Sequence, residues 1–248
     1  MWSNARIVRC VRVHPLRTYN LPDIGDHLVH FTGRTGGRFG VPEEIRNLDA
    51  PGRLAQILYQ GRIRAVPTFG TGGRPIVAFT ESSQASVLRL ISEGRYTPWG
   101  IGFSKQPIFD QGGGPVLYVR GDEWNAATAA LPDPLRARLV RFWPGATWDV
   151  GDPPLLDGAM QLPDALANPS EWLHEREWRV PNDVVFGWGD VKFLIVPSPD
   201  WAALEAQQYG LAYGDEYAQH FAAIPLVAID ATGQLLYDGS GIWDRNNV

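Results

Sequence analysis

The chain has 248 residues, of which 44% are hydrophobic and 11% aromatic, so it can fill one large core or two small ones. No apolar run approaches the roughly 20 residues that a membrane helix needs, and the first residues lack a basic-then-apolar signal pattern. The single cysteine, Cys10, excludes an internal disulfide and a zinc site built on several thiolates. We therefore expect a cytoplasmic protein without a membrane segment.

The formal net charge of −5 conceals an asymmetry along the chain. Residues 1–64 hold ten Arg against five Asp and Glu, so the remainder of the chain is strongly acidic. A basic N-terminal third suits a phosphate-bearing ligand or nucleic acid, although solvated surface arginines would give the same count. The charge alone does not choose between these interpretations.

Patterning predicts a mixture of strands and short helices. Apolar and β-branched runs predict strands at residues 4–13, 28–32, 76–80, 99–104, 116–119, 176–180, 191–196, 224–229 and 234–237. Caps and helical spacing predict helices between Pro51 and Gly61, from Ser82 or Ser83 to Gly94, and at residues 134–142 and 198–208. Strands outnumber helices and do not alternate regularly with them, which favours an α+β fold. No repeat or long linker divides the chain, so we expect a single domain over residues 1–248.

The common signatures of phosphate loops and catalytic nucleophiles are missing. The chain has no Gly-x-x-x-x-Gly-Lys loop, no complete Gly-x-Gly-x-x-Gly pattern and no Gly-x-Ser-x-Gly elbow. The run that starts at His174 and Glu175 begins like a zinc-protease helix but lacks the second histidine. We therefore do not expect metal catalysis.

A pair of glutamates in the strand predicted at 176–180 is the first candidate for chemistry. Side chains alternate along a strand, so Glu175, Glu177 and Arg179 share one face. The two carboxylates would lie about 6.6 Å apart, and their repulsion needs a compensating group, for which Arg179 is available. An exposed strand whose charges pair with a neighbouring strand would give the same pattern.

The His-Phe-Thr strand at 28–32 is the second candidate. His30 and Thr32 share one face, while Val29 and Phe31 share the other. A lone histidine in an apolar strand is commonly a hydrogen-bonded core residue. A glycine-rich loop that carries Arg34 follows at once, however, and such a loop suits the close approach of a phosphate.

These motifs resemble known families. Residues 28–32, the segment 54–65 and Val-Ala-Phe-Thr-Glu at 77–81 resemble the opening of bacterial DarT-like ADP-ribosyltransferases. Trp-Gly-Ile-Gly-Phe-Ser-Lys at 99–105 and Gly-Pro-Val-Leu-Tyr-Val at 114–119 resemble the AbiGi abortive-infection (phage resistance) family more narrowly, and 175–179 is similar to a late motif of that family. Together the matches span residues 28–197.

The resemblance implies an ADP-ribosyltransferase-like fold of mixed, mostly antiparallel sheets with short flanking helices. It implies NAD as the substrate, cleavage of the nicotinamide–ribose bond, and transfer of ADP-ribose to a nucleic acid or protein in a toxin or phage-defence system. A non-catalytic binding module or antitoxin of the same fold, acting on a cognate toxin, is one alternative. An NAD glycohydrolase that uses water as acceptor is another.

The resemblance also implies residue roles. Glu177 would contact the ribose and steady the positive charge of the transition state, and Glu175 would orient or deprotonate the acceptor. Glu81 remains a third candidate, unless it merely caps the following helix. The cofactor-binding residues expected around them are His30, Phe31, Thr32, Arg34, Arg64, Thr80, Ser82 and Trp99.

Within that set the roles differ. His30 and Thr32 would bind the adenosine ribose or the nicotinamide amide, while Thr80 and Ser82 brace the pocket. Arg34 or Arg64 would meet the pyrophosphate. Phe31 or Trp99 would stack on nicotinamide, and these alternatives stay open at the level of sequence.

Overall fold

The computed structural model describes residues 27–33, 46–67, 74–142, 176–201 and 214–241. Its strands are β1 (His27–Phe31), β2 (Arg62–Ile63), β3 (Val66–Pro67), β4 (Pro75–Thr80), β5 (Gly100–Ser104), β6 (Gly114–Pro115), β7 (Leu117–Arg120), β8 (Leu139–Phe142), β9 (Glu177–Pro181), β10 (Val184–Val185), β11 (Val191–Val196), β12 (Leu226–Ile229) and β13 (Leu235–Asp238). Its α-helices are α1 (Ala50–Gln60), α2 (Gln84–Ser92), α3 (Lys105–Asp110), α4 (Trp124–Ala130), α5 (Asp133–Arg136) and α6 (Asp215–Ala223).

One nine-stranded sheet organises the described residues. Its strands follow the order β13, β12, β11, β5, β1, β4, β9 and β6, and β3 pairs with β4 outside that order. Adjacent strands of this sheet run antiparallel, except for β11 and β12, which are parallel. Two small sheets pair β2 with β10 and β7 with β8. The described chain is therefore a mixed α/β structure with mostly antiparallel sheets and short helices, which confirms the α+β prediction at this level.

Helices cover both faces of the central sheet. On one face, Leu54 of α1 and Phe221 of α6 join the core that contains Leu28. On the other face, Val87 of α2 joins a second core that contains Val29. The adjacent residues Leu28 and Val29 thus enter different cores, as side-chain alternation in a strand requires. Full burial of each such aliphatic side chain contributes about 1.5–3 kcal/mol, so β1 is anchored from both sides.

Local capping explains where the helices begin and end. The Asp49 side chain accepts a hydrogen bond from the Gly52 amide at the start of α1, and Pro51 stands in the first turn. Gly61 ends α1 in the left-handed region at φ 57°, where glycine carries no steric penalty. Ser83 caps α2 by accepting from the Ser86 amide. The predicted bounds of both helices are thereby confirmed.

One predicted helix is wrong in its second half. Residues 134–142 form α5 only to Arg136, and β8 begins at Leu139, because Leu139, Val140, Arg141 and Phe142 pair in parallel with β7. Helical spacing could not reveal this pairing, since its partner strand lies elsewhere in the chain. The helices α3, α4 and α6 were not predicted. The predicted strand at 4–13 and all but the start of the predicted helix at 198–208 lie outside the described residues.

The remaining predicted strands are confirmed to within about two residues, the usual scatter of strand boundaries. The strands predicted at 224–229 and 234–237 form the expected antiparallel pair β12 and β13. In the part of the chain that the structure describes, no helix combines the length and apolarity needed to cross a membrane.

Gly102 leads to a prediction about stability. It lies in β5 between Val29 of β1 and Phe193 of β11, and a Cβ built on it would stand 2.3 Å from the buried Phe193 ring. Gly102→Ala should lower the free energy of unfolding by about 1–3 kcal/mol, because an over-packed core must shift to accept the methyl group. Urea denaturation followed by tryptophan fluorescence measures the change. Gly189→Ala is the matched control, because nothing lies within 4 Å of its Cβ position. Equal midpoints for both variants would contradict the packing argument.

Candidate functional site

The three sequence motifs lie on neighbouring strands of the central sheet. The His-Phe-Thr motif is on β1, the Phe-Thr-Glu motif ends β4, and the Glu-Trp-Arg motif begins β9. These strands are consecutive in the sheet order. Val29 pairs with Thr80, and Thr80 pairs with Glu177, so one row of residues crosses all three strands. Segments about 50 and 150 residues apart in sequence thus meet at one place.

The sheet is weakly joined at this place. β1 pairs with β5 over five residues, and β4 pairs with β9 over five residues. Within these described strands, β1 and β4 pair at Val29 and Thr80 alone. The central sheet therefore consists of two half-sheets that are joined by a single residue pair in register. We refer to this interruption of the β1–β4 ladder as the gap.

His30 bridges this gap from the β1 side. Its Nδ1 lies 2.9 Å from the Ala78 carbonyl oxygen of β4, and its ring meets Phe79 edge-on at 5.7 Å. Burial lowers the pKa of the His30 imidazole, and the hydrogen bond to the Ala78 carbonyl offsets only part of that effect. The neutral ring therefore donates from Nδ1, which leaves the lone pair on Nε2.

Glu177 is held by the arginine two residues along its own strand. Arg179 donates from Nε to Oε1 at 2.7 Å and from Nη2 to Oε2 at 3.1 Å, a bidentate ion pair. The Arg179 side chain is 2% exposed and the Glu177 side chain 11% exposed. Arg179 also donates from Nη1 to the Leu139 carbonyl oxygen at 2.7 Å. The pair thus orients the Glu177 carboxylate and ties β9 to β8.

Glu81 carries a second, differently held carboxylate. Lys105 of α3 donates to Oε1 at 2.5 Å, and the Trp178 indole donates to Oε2 at 2.8 Å. The Arg176 guanidinium lies 3.9 Å from Oε2. The Thr-Glu-Ser-Ser run caps α2 through Ser83, as expected, and Glu81 itself is not the cap. Lys105 was missed as a partner, although its position directly after a predicted strand, in a chain with two lysines, was a usable signal.

The backbone next to Glu81 is strained. Arg176 has a φ of 46°, in the left-handed region that side-chain-bearing residues rarely adopt. Its carbonyl oxygen accepts a hydrogen bond from the Glu81 amide at 3.2 Å. Strain of this kind costs about 1–3 kcal/mol and concentrates at functional sites. Arg176, the residue before Glu177, is therefore held against the end of β4 by this hydrogen bond.

The two carboxylates occupy different faces of the sheet. Glu177 lies on the face of Thr80 and Val29, because directly paired residues share a face. His30 points to the opposite face, beside Phe79. Trp178 pairs with Phe79 and so lies on that face as well. Its indole donates to Glu81, which places the Glu81 carboxylate on the same face. His30 and Glu177 therefore flank the gap from opposite sides, and Glu81 is the carboxylate on the His30 side.

Thr80 and Ser82 stand together at the Glu177 end of β4. Their hydroxyl oxygens are 2.6 Å apart, and the Ser82 amide donates to Thr80 Oγ1 at 3.2 Å. Both residues are buried. Thr80 and Ser82 thus form a buried polar pair at the end of β4 that pairs with Glu177.

The other expected binding residues lie apart from this group. Thr32 is buried and donates to the Ala50 carbonyl oxygen at 2.9 Å, which joins β1 to α1. Trp99 packs edge-on against Trp201, and Phe31 stacks on Tyr96 at 4.4 Å. Arg64 lies between β2 and β3, at the far end of β4 from Thr80. Glu175 and Arg34 lie outside the described residues.

Two shallow grooves occur at the opposite edge of the sheet. They measure about 280 and 300 Å³ and are lined along α6, β12 and β13, with Trp188 and His220 in one of them. None of the motif residues lines them. Among the described residues, no group of three or more His, Cys, Asp or Glu side chains could hold a metal ion. The candidate site is therefore defined by the motif strands and not by these grooves.

Comparison with known proteins adds no relative: no family model, no curated protein and no solved structure matches the chain. The case for the candidate site therefore comes from the geometry of this chain alone.

Removal of the Glu177 charge should destabilise the fold. Glu177→Gln leaves the buried Arg179 guanidinium without its counter-charge, and breaking a buried pair in this way costs about 3–5 kcal/mol. Urea denaturation gives the change in the free energy of unfolding. Arg89→Gln, which breaks an exposed pair with Glu93, is the control and should cost less than about 1 kcal/mol. Similar losses in the two variants would show that the Glu177 pair contributes no more than a surface pair.

Acidification should destabilise the protein through His30. The folded state binds the imidazole proton more weakly than the unfolded chain, so stability is lost as the pH falls below about 6.5. In His30→Asn, an amide N–H replaces the Nδ1–H donor and does not titrate. The free energy of unfolding of the wild type should therefore drop more between pH 7 and pH 5 than that of His30→Asn. Parallel pH profiles would rule out this role for His30.

Proposed function

We propose that the protein is an NAD-dependent ADP-ribosyltransferase-like enzyme of a bacterial toxin or phage-defence system. It cleaves the nicotinamide–ribose bond and transfers ADP-ribose to a nucleic acid or protein. The observation that carries the proposal is the row Val29, Thr80 and Glu177, which brings the three motif strands together at the junction of two half-sheets. The chain's resemblance to DarT-like and AbiGi proteins rests on these motifs and on residues 54–65, 99–105 and 114–119.

The proposed reaction gives Glu177 and Glu175 separate roles. The bond between the ribose carbon and the nicotinamide nitrogen breaks, and its electron pair leaves with neutral nicotinamide. A positively charged sugar develops, and a preorganised carboxylate stabilises it. The acceptor oxygen or nitrogen then forms the new bond and gives up its proton to a carboxylate. Glu177, oriented by Arg179, is the proposed charge stabiliser, and Glu175 the proposed acceptor base.

The geometry adds Glu81 as a competitor for one of these roles. Its carboxylate lies on the His30 side of the gap, next to the Trp178 indole and the ammonium of Lys105. An aromatic ring can stack on a base of a dinucleotide, and cations can bind its diphosphate. The carboxylate would stabilise the positive charge on the ribose. His30 contributes a neutral imidazole that accepts at Nε2, which suits a ribose hydroxyl or an amide N–H.

One observation favours the alternative of a non-catalytic binding module or antitoxin. Both oxygens of Glu177 are bonded to Arg179, and both oxygens of Glu81 are bonded to Lys105 and Trp178. Carboxylates with these bonds can serve as structural ties of the sheet without any chemistry. The two functions differ in one property: the enzyme consumes NAD, and the module does not.

Nicotinamide release from NAD separates the two functions. The purified protein is incubated with NAD, alone and with a nucleic acid or a cell lysate, and nicotinamide is measured by chromatography. Glu177→Gln should slow release by at least about 100-fold, the usual effect of losing an electrostatic or acid–base group. Glu177→Asp, which keeps the charge, separates the chemical effect from loss of folding. Glu216→Gln, with a side chain 93% exposed, is the control.

The outcomes assign the roles. Release that persists in Glu177→Gln but stops in Glu81→Gln moves the charge stabiliser to Glu81. Release that is indifferent to added acceptor indicates an NAD glycohydrolase. No release by the wild type under any of these conditions overturns the enzyme and leaves the binding module.

A further inference from the structure

An arginine side chain lies across the edge of the sheet beside the candidate site. Arg138 precedes β8, and its Nη1 would be 2.1 Å from a Cβ built on Gly114 of β6. Any side chain at position 114 would therefore displace the Arg138 guanidinium. Glycine at this position makes room for the cation to lie directly against the strand.

Strand register puts Arg138 on the Glu177 side of the sheet. Gly114 pairs with Arg179, and directly paired residues point to the same face. The space over Gly114 that Arg138 fills is therefore on the same face of the sheet as Arg179, whose guanidinium holds Glu177. Two backbone hydrogen bonds keep the segment in place: the Val116 amide donates to the Glu177 carbonyl, and the Leu117 amide donates to the Arg138 carbonyl.

The charge of Arg138 is not compensated by the described residues. Arg179 binds Glu177, and Arg136 and Arg74 both approach Asp133. No described carboxylate pairs with Arg138, and its Nε is buried without a hydrogen-bond acceptor. Because the Nε is buried, an anion that compensates the charge of this half-buried guanidinium would bind at its Nη atoms. Arginine binds phosphate oxygens with two parallel N–H donors, so phosphate is the fitting ligand.

We propose that Arg138, over Gly114, is a phosphate-binding subsite on the Glu177 face of the sheet. The identity of the ligand rests on the proposed function: the phosphate belongs either to the diphosphate of NAD or to the backbone of a nucleic-acid acceptor. Both sources present the same chemistry to the guanidinium. The phosphate would then lie on the face of the sheet that carries the ion pair of Glu177 and Arg179.

Direct binding tests the subsite without requiring catalysis. Calorimetry with ADP-ribose reports the diphosphate, and fluorescence anisotropy with a labelled single-stranded oligonucleotide reports the nucleic-acid backbone. Arg138→Gln should weaken one of these ligands by at least about tenfold, because it removes a charge-assisted hydrogen bond. Arg138→Lys, which keeps the charge, should restore part of the affinity. Arg89→Gln, exposed and distant in sequence, should bind as the wild type does.

Each outcome bears on the inference. Weaker ADP-ribose binding assigns the phosphate to NAD, and weaker oligonucleotide binding assigns it to the acceptor. Equal binding of both probes by wild type and Arg138→Gln, or no binding of either probe by the wild type, overturns the subsite. If Arg138→Gln weakens a probe while the wild type releases no nicotinamide from NAD, the subsite stands and the enzymatic proposal fails.

Discussion

The buried ion pair between Glu177 and Arg179 is the interaction on which the candidate site depends. A guanidinium 2% exposed must find acceptors for its donors, and Arg179 finds them on Glu177 and on the Leu139 carbonyl. The first contact orients a carboxylate at the sheet junction. The second joins the central sheet to the small sheet of β7 and β8. Arg179 thus fixes the Glu177 carboxylate and also holds the β7–β8 sheet against the central sheet.

The Glu177 carboxylate lies next to the single residue pair that joins β1 and β4. β1 pairs with β5 and β4 pairs with β9 over five residues each, whereas β1 and β4 pair with each other only at Val29 and Thr80. Side chains from β1, β4 and β9 come together where this pairing is interrupted. His30 and Glu81 approach from one face, and Glu177 with Thr80 from the other. The functional question is which face receives the ligand.

Sequence patterns located most strands because β-branched and apolar runs bound by glycine or proline are local signals. The same patterns found the caps at Ser83 and Gly61. They failed at residues 134–142, where pairing with β7 overrode helical spacing. They also underestimated Glu81, because its partners Lys105 and Trp178 come from segments 24 and 97 residues away. Long-range pairing has no local signature.

The sequence by itself determined the mixed fold, the three motifs and the face that Glu177 shares with Arg179, because alternation along one strand needs only adjacent residues. Tertiary structure alone decided that the motif strands are neighbours, that His30 and Glu177 lie on opposite faces, and that Arg138 rests on Gly114. These facts depend on strand order and register. Register is set by which side chains reach a core, and the whole folded chain decides that.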